Sequence, residues 1–85
     1  MAEYKIFFKR SAVKDLDPIP KKDLQRTIKR IESLAKDPRP AGCEKLTGQN
    51  RYRIRQDNYR IVYSIQDKDL TVWVVKIGHR RDVLR

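Results

Sequence analysis

Arginines recur at alternating positions in one segment of this 85-residue chain, and the neighbouring segment adds one more. Residues 51–56 read Arg-Tyr-Arg-Ile-Arg-Gln, and residues 59–63 read Tyr-Arg-Ile-Val-Tyr. Asp57-Asn58 between them suits a two-residue hairpin turn, because both residues tolerate positive φ. Alternation along each strand then places the arginines on one face of the hairpin. Forked guanidinium donors match phosphate oxygens, so this face predicts phosphate binding.

The two-residue turn also fixes the register of the predicted hairpin. It pairs Gln56 with Tyr59, Arg55 with Arg60, Ile54 with Ile61, Arg53 with Val62, and Tyr52 with Tyr63. One face then holds Arg51, Arg53, Arg55 and Arg60, and the tyrosines and isoleucines form the opposite face, which the helices should cover.

Arg55 opposite Arg60 destabilises a bare sheet, and a bound anion would remove that penalty. No acidic residue falls on the arginine face in this register, which favours an anion site over a merely soluble surface.

The only histidine of the chain, His79, follows the last apolar segment. Arginine does not release its proton near neutral pH, so cleavage of RNA at the arginine face needs another group for proton transfer. An imidazole titrates near neutrality, which makes His79 the candidate. Gly78 permits a bend that would swing His79 and Arg80 toward the arginines. DNA lacks the 2′-hydroxyl that a metal-free site would use as nucleophile, so these residues favour RNA as substrate.

The composition indicates which ligands, metals and cellular location to expect. Lys and Arg number 21 against 11 Asp and Glu, a net charge of +10 that predicts attraction to polyanions. Cys43 and His79 are each the only residue of their type, so neither an intramolecular disulfide nor a metal site is expected. Without a long apolar run or an apolar N-terminal stretch, we expect no membrane association and a cytoplasmic protein. The length suits one domain, residues 1–85.

The remaining pattern predicts an α+β fold of order β-α-α-β-β-β. A strand over Tyr4–Phe8 precedes a short helix from Ser11 to Leu16 and a second helix from Pro20 to about Lys36. Three strands follow, at about residues 51–56, 59–65 and 70–77. Both helices should pack on one face of a small antiparallel sheet. The last strand is apolar on both sides, and the turn around Asp67-Lys68-Asp69 allows two registers for it.

Four segments resemble a known family. They are Lys45-Leu46-Thr47-Gly48, Tyr52-Arg53-Ile54-Arg55, Asn58-Tyr59-Arg60-Ile61-Val62-Tyr63 and Gly78-His79-Arg80-Arg81-Asp82. Together they resemble the RelE/ParE superfamily of bacterial and archaeal toxins, and within it RelE. The resemblance implies a microbial RNase-like fold and cleavage of messenger RNA in the A site of the small ribosomal subunit. It also implies 2′-hydroxyl attack without metal or cofactor, and neutralisation by a RelB-like antitoxin.

The resemblance also implies roles for individual residues. The predicted catalytic residues are Arg53, Arg55, Arg60, His79 and Arg80, and the predicted RNA-binding residues are Arg51, Lys76, Arg81 and Leu84.

Two departures from the family pattern bear on this assignment. Well-studied RelE members have lysines where this chain has Arg53 and Arg55, which shifts proton transfer toward His79. Many members also have a tyrosine that stacks on the substrate base where this chain has Leu84. Two alternatives therefore stay open: a ParE-type toxin that poisons DNA gyrase by protein contact, and an attenuated RNA-binding variant.

Overall fold

The computed structural model describes residues 3–46 and 50–79. The strands are β1 (Lys5–Phe8), β2 (Glu44–Lys45), β3 (Arg51–Gln56), β4 (Tyr59–Gln66) and β5 (Thr71–His79), and the helices are α1 (Arg10–Leu16) and α2 (Lys21–Ser33). They build a five-stranded sheet of order β1-β5-β4-β3-β2. The pair of β1 and β5 is parallel, and the other neighbouring strands are antiparallel.

The predicted α+β class is confirmed, with two features that the sequence pattern did not indicate. One is β2, which pairs Glu44 with Arg53 and Lys45 with Tyr52 at the edge of the sheet. A strand of two residues is too short to show any periodicity. The other is the parallel pairing of β1, whose partner strand lies more than sixty residues further along the chain.

The β3–β4 hairpin has the predicted register at all five predicted pairs. Asp57 takes a φ of 55° in the turn, as its tolerance of positive φ allows. Its carboxylate also lies 3.7 Å from Arg26 of α2, an exposed ion pair that contributes little to stability. The turn chemistry thus suffices to position the arginines of both strands.

One face of the sheet packs against both helices and forms the core. The helices contribute Ala12, Ile31 and the residue that follows α2, Leu34. The sheet contributes Ile54, Ile61, Tyr63, Ile65, Val72, Val74 and Ile77. The Tyr63 hydroxyl is buried and donates to the Pro38 carbonyl over 2.7 Å. No helix within the described residues is both long and apolar enough to cross a membrane.

An irregularity in β5 sets which side chains reach which face. Val62 of β4 pairs with Lys76, but the next residue, Tyr63, pairs with Val74, so Val75 is an additional residue in β5. A bulge of this kind shifts the alternation of its strand by one residue. Val72 and Val74 before the bulge therefore share the core face with Ile77 and His79 after it.

Candidate nucleic-acid interface

The sheet face opposite the helices, here the open face, carries the predicted arginines. By register, Arg53 lies beside Val62 and Lys76, and Arg55 lies opposite Arg60. Val62 is 7% exposed although it lies on this face, which indicates that the stems of the flanking cations cover it. The open face therefore presents cationic head groups over an apolar floor.

Arg53 is held by a residue that the sequence analysis missed. Its Nη2 lies 3.0 Å from Oε1 of Glu44 on β2, and its side chain is 20% exposed. The expectation of a face without acidic residues is thus wrong at one position, because β2 brings Glu44 opposite Arg53. The carboxylate fixes one edge of the guanidinium and leaves its other donors for a phosphate. No local pattern around Glu44 would have shown this pairing.

His79 lies on the other side of the sheet. It pairs with Tyr59, whose ring it meets edge-on at 5.9 Å between centroids, and Tyr59 packs against the core. β5 continues through Gly78 without the predicted bend. The expectation that His79 swings toward the arginines is therefore wrong, and the bulge at Val75 is the reason. Unbroken alternation from Trp73 would have placed His79 on the open face.

The surroundings of His79 form a separate, open-sided cavity of about 380 Å³. Its walls include Lys14 and Asp15 of α1, the Pro18–Ile19 turn, and Tyr59. Asp15 accepts a hydrogen bond from the backbone N–H of Ile77 over 3.0 Å. Lys76 also lines this cavity, although it lies in register with Arg53 on the open face. His79 itself lies on the face opposite the arginines.

The other predicted site residues divide into two groups. Arg51, Arg53, Arg55, Arg60 and Lys76 all lie on the open face. Arg80, Arg81 and Leu84 lie outside the described residues.

These features define a class of protein: a small α+β domain with a cationic sheet face suited to a polyanion. Residues 6–84 match the family model described as the ParE toxin of type II toxin–antitoxin systems, parDE. The chain therefore belongs to this family of toxins, within the RelE/ParE superfamily.

Individual relatives are similar over nearly the whole chain. The toxin RelG of Mycobacterium tuberculosis is 28% identical, over 96% of this chain and 97% of that protein. The toxin–antitoxin complex RelBE2 of the same organism gives a TM-score of 0.83 at 25% identity, over 94% of each chain. The archaeal RelE–RelB complex of Pyrococcus horikoshii OT3 gives 0.81 at 29% identity, over 91% of this chain and 94% of that chain.

Proposed function

We propose that this toxin is an endoribonuclease that cuts messenger RNA in the ribosomal A site and so inhibits translation. The observation that carries the proposal is the arginine cluster on the open face, where Arg55 and Arg60 face each other across the hairpin. Guanidinium groups on neighbouring strands can contact successive phosphates of one RNA backbone, and their forked donors match phosphate oxygens. The proposal places the protein in the cytoplasm, where ribosomes and messenger RNA are found.

In the proposed reaction the ribose 2′-hydroxyl attacks the adjacent phosphorus. The bond from phosphorus to the 5′-oxygen of the next nucleotide breaks, which leaves a 2′,3′-cyclic phosphate and a 5′-hydroxyl. The 2′-oxygen loses its proton, and the leaving 5′-oxygen gains one. Arg53 and Arg60 would stabilise the additional charge of the phosphorane, a contribution that requires no metal.

The expected protein partner is an antitoxin. Both solved structures described above are complexes of a toxin with its antitoxin, one of them RelE with RelB. We propose a RelB-like antitoxin for this chain, with acidic residues that complement the net charge of +10. An antitoxin that covers the open face would block access of RNA to the arginines.

A programmed ribosome complex tests the proposed activity. Purified protein is incubated with the complex, with and without EDTA, and the cut is mapped by primer extension. A cut in the A-site codon that persists in EDTA is the expected result. Arg53→Ala and Arg60→Ala should each lower the cleavage rate by about 100-fold or more, as loss of a charge-stabilising donor does.

Arg10→Ala is the matched control for these variants. It removes the same charge at the exposed start of α1, away from the open face, and should cleave at the wild-type rate. Equal activity of all three variants would overturn the assignment of the open face. Circular dichroism of each variant separates a lost site from a lost fold.

Gyrase poisoning is the second candidate, favoured by the match to a family model that is named for ParE. It requires no group for proton transfer, and the open face lacks His79. Inhibition of DNA supercoiling by purified gyrase, with programmed ribosomes left uncut, would support this alternative over RNA cleavage.

A further inference from the structure

The corner of the open face beyond the arginines carries an exposed aromatic pair. Phe7 of β1 and Trp73 of β5 are cross-strand neighbours, and their rings stack at 5.0 Å between centroids. Phe7 is 43% exposed and is the only aromatic ring among the exposed large apolar side chains of the described residues. Within the described residues, neither helix packs against these two rings, because both helices lie on the opposite face. Burial in the core does not account for this pair.

Cations surround the pair. The Lys9 ammonium lies 4.5 Å from the centre of the Trp73 ring, and exposed Lys5 precedes Phe7 by two residues on the same face of β1. The pair also lies in one cross-strand row with the arginine cluster: Phe7, Trp73, Ser64 and Arg51 are successive partners across four strands. At about 4.8 Å per strand, this row spans roughly 14 Å.

We propose that Phe7 and Trp73 form a stacking platform for a nucleobase of single-stranded RNA whose backbone follows the open face to the arginines. Rings beside cations fit this ligand, because bases stack on aromatic rings while phosphates pair with Lys and Arg. Because Lys5 and Lys9 lie beside the two rings, an anionic ligand such as RNA fits this corner better than a neutral apolar partner does. The proposal rests on the proposed function, since it extends the same face from phosphate binding to base binding.

The only tryptophan of the chain is in the platform, so its fluorescence reports binding directly. The probe is a 2′-O-methyl oligouridylate, which has no free 2′-hydroxyl and cannot be cleaved by the proposed reaction. The reference is an abasic oligonucleotide of the same length and charge. We expect the oligouridylate to quench Trp73 and to bind at least about five-fold more tightly than the abasic strand, as stacking of one base provides.

Phe7→Ala should reduce this preference for bases, because it removes one of the two rings, and it retains Trp73 as reporter. Val13→Ala is the matched control, because it shortens an apolar side chain of similar exposure on α1, and it should keep the preference. Equal affinity for the two strands, or an unchanged preference in Phe7→Ala, would overturn the platform. Quenching by an acidic, leucine-containing peptide but not by RNA would also overturn it and identify the corner as a protein-binding surface.

The ribosome assay keeps this proposal separate from the proposed function. Base-dependent quenching without cleavage of programmed ribosomes would support the platform and refute the nuclease. Cleavage by the wild-type protein, with no difference between the two strands, would support the nuclease and refute the platform.

Discussion

The pair of Arg55 and Arg60 is a position where binding and stability make opposite demands. Arg55 lies opposite Arg60, whereas Arg51 on the same strand lies opposite uncharged Ser64. Like charges directly opposite in a sheet are destabilising. We therefore expect Arg55→Thr to raise the melting temperature by a few degrees and to weaken binding of single-stranded RNA.

Arg51→Thr is the internal control for Arg55→Thr. It makes the same substitution on the same strand without relieving a cationic pair, so its melting temperature should stay near that of the wild type. Thermal unfolding followed by circular dichroism measures both variants. A rise in both, or in neither, would show that repulsion between Arg55 and Arg60 does not limit stability.

His79 illustrates how one side chain can lie far from its predicted partners. Its ring contacts Tyr59 on the core side of the sheet, across from the arginines. Because His79 lies on the face opposite the arginines, we expect His79→Ala to leave the pH dependence of ribosome-dependent cleavage unchanged. Loss of the acidic limb of that profile in His79→Ala would return His79 to the reaction.

At the scale of elements, α1 holds β5 in its bulged form. The Ser11 hydroxyl donates to the carbonyl of Val75, the additional residue, over 2.6 Å. Asp15, one turn further along α1, accepts from the N–H of Ile77. Both contacts satisfy backbone groups of β5 beyond the last residue that β1 pairs, Val74. The helix thereby completes the edge of the strand and fixes its alternation.

Asp15→Ala tests this support, because it leaves the Ile77 N–H without its acceptor. The loss should lower the free energy of unfolding by about 1–3 kcal/mol. Asp17→Ala removes the same group from the exposed end of α1 and should change stability by less than about 0.5 kcal/mol. Urea unfolding of the two variants measures both changes. Equal loss would show that helix electrostatics, not the contact to Ile77, is responsible.

The elements also show why sequence reasoning succeeded in the hairpin and failed in β5. Asp57-Asn58 fixes the β3–β4 register through a turn of two residues, so counting alone places the four arginines of the hairpin. The bulge at Val75 depends on contacts from α1, more than sixty residues away in sequence, and a run of valines gives no local signal for it. Glu44 is missed for the same reason, since its contact with Arg53 requires β2 to pair.

At the scale of the whole molecule, one ionic cluster joins distant parts of a chain of net charge +10. Arg39 donates to both carboxylate oxygens of Asp67, at 3.2 and 3.0 Å, and the Tyr4 hydroxyl donates to the same carboxylate at 2.7 Å. The cluster connects the start of β1, the loop after α2, and the turn before β5. Arg39 also stacks over Tyr52 at 5.3 Å from its ring centre.

This cluster predicts a pH dependence of stability with a definite sign. The hydrogen bonds from Arg39 and then Tyr4 lower the pKa of Asp67 below its ordinary value of 3.8. A carboxyl with a lowered pKa in the folded state stabilises the fold above its unfolded pKa and loses that contribution as the pH falls through the folded value.

Asp67→Asn should therefore lower the urea midpoint at pH 7, and the difference from the wild type should shrink toward pH 2. Asp69→Asn, on the same exposed turn, should follow the wild type at both pH values. If Asp67→Asn lowers the midpoint equally at pH 7 and pH 2, the cluster acts through the shape of the turn and not through the charge of Asp67.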